Sequence, residues 1–115
     1  MTDIPREVQV GPYCCRVDAT KEAIEAKRAE YSDDEHTMGR FEIWRELITI
    51  DPEQGPGALR DTVLHEVLHV VVYVASLDTS PRKLSDEEIV SRTTPLLLDT
   101  LRRNPDLVAF LMEGT

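Results

Sequence analysis

Residues 64–72 read Leu64-His65-Glu66-Val67-Leu68-His69-Val70-Val71-Val72, and they hold two of the chain's three histidines, four residues apart in an apolar run. Four residues is about one helical turn, so on a helix both imidazoles project from the same face. Two neutral imidazoles on one face can bind a divalent ion such as zinc. Glu66 directly follows the first histidine, where a carboxylate can hydrogen-bond a water on the ion and take its proton. The His-Glu-x-x-His spacing is therefore a mechanism as well as a pattern.

The surroundings support a helix. Leu59, Val63, Leu68, Val72 and Ala75 recur at helical steps, and Gly55-Pro56-Gly57 marks a break just before them, which predicts a helix from about Ala58 to Ser76. The competing interpretation is a buried amphipathic helix whose histidines only satisfy core hydrogen bonds. Two histidines and a glutamate are expensive to bury without a shared purpose.

A chain of 115 residues has room for one hydrophobic core, which predicts a single domain over residues 1–115. The Leu64 to Ala75 run is too short and too charged to span a bilayer, and no basic segment followed by a cleavable apolar stretch opens the chain. The expectation is a soluble cytoplasmic protein. A formal charge of −9 argues against nucleic acid and anionic membrane as partners, since both reward a basic face. A peptide or protein is the expected partner, and the oligomeric state is left open. Cys14 and Cys15 are neighbours that a strand would point to opposite faces, so they are read as reduced packing residues.

Taken in order, Val8 and Val10 alternate with polar residues, Gly11-Pro12 interrupts, and Tyr13 to Val17 is again strand-like, which predicts a short hairpin or a bent strand. Asp18 or Thr20 can cap a solvated helix from Lys21 to Tyr31, with Ala23, Ile24, Ala26 and the stem of Lys27 as its weakly apolar side. Ser32 to His36 reads as an acidic loop. Arg40 to Ile43 and Leu47 to Ile50 are strand-like, joined either by a turn at Trp44-Arg45-Glu46 or through a bulge. Ser85-Asp86-Glu87-Glu88 has the form of a capping box opening a further helix, which Pro95 should kink or break. Asn104-Pro105 starts a last short helix carrying Leu107, Val108, Phe110, Leu111 and Met112.

A catalytic zinc site takes three protein ligands and leaves a position for water. No histidine follows His69, so a third one could come only from His36, and an acid on the next helix is the better candidate. Glu88 is turned back by the capping box, whereas Glu87 shares a face with Val90 and Thr94 that would pack toward the first helix. Glu87 is therefore the favoured third ligand, with Asp86, Glu88, Asp78 and Asp99 as alternatives. Asp61 and Tyr73 each lie one turn from a histidine. The first could orient His65, and the second could steady an oxyanion.

Leu64 to His69, preceded by Leu47-Ile48-Thr49-Ile50-Asp51 and followed by Glu87-Glu88-Ile89-Val90 and Asn104-Pro105, resembles the short zincin-like metallopeptidase-type proteins of phages and prophages, which are related in pattern to the ImmA/IrrE-type zincins. The resemblance covers about the last two thirds of the chain and is strongest at the His-Glu-x-x-His run. It implies an α+β fold of minimal zincin type, a small antiparallel sheet packed on an active-site helix and a following glutamate-bearing helix. It also implies Zn2+ held by His65, His69 and Glu87, Glu66 as general base, and, for a phage protein, the host cytoplasm as location. In the larger gluzincins an acid commonly follows the glutamate ligand by four positions, where this chain has Ser91.

The expected function is a zinc-dependent, peptidase-like hydrolase, with an edge strand near Leu47 to Ile50 available to an extended substrate. A zincin-fold metal-binding module with a regulatory or interaction role is the alternative. A metal-free helical adaptor using the acidic surface is the second.

Overall fold

A computed structural model describes residues 3–31, 37–77 and 81–113. His36 and Asp78, two of the alternative ligands, lie outside the described residues. The fold is α+β, a four-stranded sheet with four helices.

Strands β1 (Glu7–Val10) and β2 (Tyr13–Asp18) form an antiparallel hairpin in which Val10 pairs with Tyr13 across Gly11-Pro12. Gly11 turns the chain with φ 55°, a conformation that costs a side-chain-bearing residue more than glycine. Helix α1 (Lys21–Glu30) follows, and of its two candidate caps Thr20 does the work, its hydroxyl accepting from the Ala23 N–H at 3.2 Å. Strands β3 (Gly39–Glu42) and β4 (Leu47–Ile50) are antiparallel, joined by a single 3-10 turn over Ile43–Arg45. No glycine serves that turn. Glu46 takes the left-handed conformation itself, φ 45°, and its carboxylate accepts from the Cys14 N–H at 3.1 Å.

Two expectations are corrected by the sheet. Its order is β1-β2-β4-β3, and β2 pairs with β4 in parallel through Arg16↔Leu47, Val17↔Ile48 and Asp18↔Thr49, so the sheet is mixed rather than antiparallel. Parallel neighbours need a crossover, and the stretch containing α1 and β3 supplies it. In consequence Leu47–Ile50 is not an edge. All four of its residues are buried between β2 and β3, which is why the run is continuously apolar around Thr49. The edge beside it is β3.

Helix α2 (Pro56–Val74) packs on one face of the sheet with α3 (Asp86–Arg103) and α4 (Pro105–Met112). The main core joins Val8, Val10 and Cys15 of the hairpin, Ile48 and Ile50 of β4, Val63, Val67, Val70 and Val71 of α2, and Leu107 and Phe110 of α4. Cys15 is thus a packing residue, whereas Cys14 is exposed and its thiol donates to Glu7. Helix α3 begins with the expected capping box and runs unbroken through Pro95. Asn104 does not cap α4 with its side chain. Its amide instead donates to the carbonyls of Gln9 (2.8 Å) and Thr100 (2.7 Å) and accepts from the Gln9 N–H (2.8 Å), tying the end of α3 to β1.

The opposite face carries a smaller polar layer. Ile24, Leu47 and Thr49 are buried there beside an ion pair between Lys27 and Glu42, 2.7 Å long and almost free of solvent. Tyr31 donates to the other Glu42 oxygen at 2.8 Å. Arg28 binds Asp51 at 2.8 Å and the Thr37 carbonyl, which anchors the approach to β3. Among the described residues no helix is long and apolar enough to cross a membrane.

Candidate metal centre

The central turns of α2 present His65 and His69 to solvent and turn Glu66 inward, where it is 6% exposed. The partition follows from helical spacing. Val63, Val67, Val70 and Val71 take the core face, Glu66 lies at its border, and the two histidines share the face beyond. Their Nε2 atoms are 3.1 Å apart. Two imidazole nitrogens bound at about 2.05 Å to one tetrahedral zinc are separated by about 3.3 Å, so the pair stands close to ligand spacing. A hydrogen bond between unlike tautomers gives a similar separation.

His65, Glu66 and His69 together form the one group of potential ligands found among the described residues, with their ligating atoms within 4.8 Å of one another. The sequence points to the two histidines as ligands and to Glu66 as a general base rather than a ligand. The structure does not bring Glu87 into this group. Glu87 is exposed on the first turn of α3, and its carboxylate accepts from the Ser91 hydroxyl at 3.2 Å. Glu88 is occupied as expected, by the cap and by a two-point contact with Arg82 at 3.0 and 2.5 Å, which brings its pKa down to about 2. Asp99 pairs loosely with Arg103 at 3.5 Å. Tyr73 packs edge-on against Tyr13, ring centroids 6.0 Å apart, and lines a separate groove with Pro12 and Val74. Asp61 makes no hydrogen bond to His65.

Strand β3 forms the second wall. A groove of about 300 Å³ is lined by Gly39, Arg40 and Phe41 from β3 and by His65, Glu66 and His69 from α2. A smaller pocket of about 220 Å³ adjoins it, lined by Met38, Gly39, Asp61, Thr62, His65 and Glu66. The strand comes this close because residue 39 has no side chain. A Cβ there would lie 3.0 Å from both Glu66 Cγ and Thr62 Cγ2 and 3.1 Å from Glu66 Oε2. Sequence reasoning did not single out Gly39, although a glycine opening a strand is a signal of close backbone approach.

Burial beneath β3 pushes the Glu66 carboxyl above the usual range, partly offset by His69, His65 and Arg40. A raised carboxyl value suits a group that must accept a proton and then return it near neutral pH. Gly39→Ala should disturb this packing at a cost of about 1–3 kcal/mol. The check is the urea midpoint, which should fall with an unchanged slope.

Among the described residues the outer edge of β3 is unpaired. Asp51 donates to the Met38 carbonyl at 2.8 Å, which sets the alternation. Met38, Arg40 and Glu42 turn their backbone groups to β4, so Gly39 and Phe41 turn theirs to the free edge. Among the described residues no strand pairs with them. No protein-family model, curated protein or solved structure matches the chain.

Proposed function

We propose that this chain is a zinc-dependent, peptidase-like hydrolase of minimal zincin type, acting on an extended peptide laid along β3. The observation that carries the proposal is the spacing of the two Nε2 atoms, 3.1 Å, beside a buried carboxylate. In this reading His65 and His69 would hold the ion, and Glu87, which stands outside their cluster and is bonded to Ser91, would have to swing toward them to serve as the third ligand. Zinc, when bound, polarises the scissile carbonyl and makes water acidic enough to react near neutral pH.

The chain's own residues do the rest. The free N–H and C=O groups of Gly39 and Phe41 pair with the substrate backbone as an added strand, fixing it against the groove. Glu66 takes the proton of the attacking water on a carboxylate oxygen and delivers it to the leaving amine. Its place under β3 keeps bulk water from competing for that carboxylate.

A peptide library incubated with the zinc-loaded protein should yield cleavage products, lost on chelation and regained on adding zinc. A zinc-loaded protein that cleaves nothing would leave the metal-binding interaction module. That alternative draws support from the shallowness of the groove, about 300 Å³, and from the position of Glu87 outside the cluster.

A further inference from the structure

The pocket beside the histidine groove has a chemical character of its own. Met38 and Thr62 wall it, His65 and Glu66 connect it to the groove, and Asp61 is the charged group at its far side. Asp61 is exposed and, among the described residues, has no hydrogen-bond or ion-pair partner. Arg60, next to it in sequence, lines a different groove with Ile4, Pro56, Leu59 and Phe110, and Arg40 lines the adjoining histidine groove; neither forms an ion pair with Asp61. Met38 is 39% exposed, which leaves an apolar surface beside a carboxylate. Such a pairing suits a side chain with an aliphatic stem and a cationic end.

The direction of β3 gives this pocket a place along the substrate. Met38 and Gly39 lie beside Asp61 and Thr62, and Phe41 shares the other groove with His69, so β3 and α2 run the same way past the site. A peptide added antiparallel to β3, the better-bonded arrangement, arrives with its amino side near Phe41 and leaves with its carboxyl side near Met38. At about 3.3 Å per residue, the pocket receives a side chain one or two positions past the bond held over Glu66.

We propose that Asp61 is a specificity-determining residue that selects peptides carrying lysine or arginine one or two residues past the scissile bond on its carboxyl side. The inference rests on the hydrolase reading for the location of that bond. The formal charge of −9 works in the same direction, since it draws basic peptides toward the surface and repels acidic ones.

The test uses the zinc-loaded Glu66→Gln protein, which holds peptide without turning it over. Its probes are heptapeptides of alternating alanine and valine with lysine, norleucine or glutamate placed in turn at each position, titrated by calorimetry. Lysine at one or two adjacent positions should bind about 10-fold tighter than norleucine and tighter still than glutamate. A second substitution, Asp61→Asn, should remove the preference, and Asp61→Lys should transfer it to glutamate. Asp61 is exposed, so an unchanged melting temperature verifies that these variants fold. Equal binding of the three probes, a lysine preference that survives Asp61→Asn, or no binding of any probe would overturn the inference. Lysine-selective binding by a natural protein that hydrolyses nothing supports Asp61 as the selecting residue but removes the hydrolase and the scissile bond with it; hydrolysis without the preference overturns the inference and keeps the hydrolase.

Discussion

Glu66→Gln should retain zinc and lose hydrolysis by about 10³-fold. The substitution keeps the shape that packs against Gly39 and leaves His65 and His69 in place, so metal affinity and folding should change little. What it removes is the carboxylate that accepts a proton from water. Glutamine cannot do so, and no other carboxylate belongs to the cluster among the described residues. The measurement is peptide hydrolysis at matched zinc content. A glutamine variant retaining a tenth or more of the natural rate would show that the proton goes elsewhere.

The second large effect concerns stability. Lys27→Met should cost about 3–5 kcal/mol, because it leaves Glu42, 0% exposed, charged and without its principal cation. A domain of this size has about 5–15 kcal/mol in total, so the variant should be partly unfolded in mild denaturant. Adding Glu42→Leu should recover most of the loss, since an apolar pair needs no compensating charge. Tyr31 and Arg45 at 3.7 Å also face Glu42, so the recovery tests whether Lys27 is the principal partner.

The same pair gives stability its pH dependence. Burial alone would raise the Glu42 carboxyl, but hydrogen bonds from Lys27 and Tyr31 outweigh it and hold the group below the usual carboxylate range. Asp51 behaves alike, with burial overcome by the Glu53 N–H and Arg28. A group depressed on folding contributes stability that is present above its unfolded value, about 4, and lost as pH falls through its folded value. Lys27 is raised, chiefly by its hydrogen bond to Glu42, so its contribution holds below about 10.4 and is lost as pH rises through the folded value. The urea midpoint should therefore fall on acidification below pH 4, and Lys27→Met should flatten that fall.

Local chemistry made much of this legible in the sequence. The His-Glu-x-x-His helix, the Thr20 cap, the Ser85 capping box and the Gly11-Pro12 hairpin each depend on residues within a few positions of one another. What escaped depends on contacts between distant segments. The parallel pairing of β2 with β4 leaves no mark in either strand's own pattern, and it decides that β3 rather than Leu47–Ile50 is the edge beside the histidines. Lys27 read as a stem on a solvated helix because its partner Glu42 lies in another element. Glu46 adopts the left-handed turn conformation without the glycine that would have announced it. Glu87 follows from helical phase and from the capping box that occupies Glu88, which together fix a direction on α3 but not the placement of α3 against α2.

Whether His65 and His69 are metal ligands is decided by elemental analysis of protein purified without chelator. About one zinc per chain is expected in the natural protein, lost or much weakened in His65→Ala, His69→Ala and Glu87→Ala. Zinc retained by Glu87→Ala alone would transfer the third position to another group and leave the histidine pair standing. Zinc retained by both histidine variants, or a natural protein that takes up no zinc even when it is supplied, would show that the histidine pair is not a metal site.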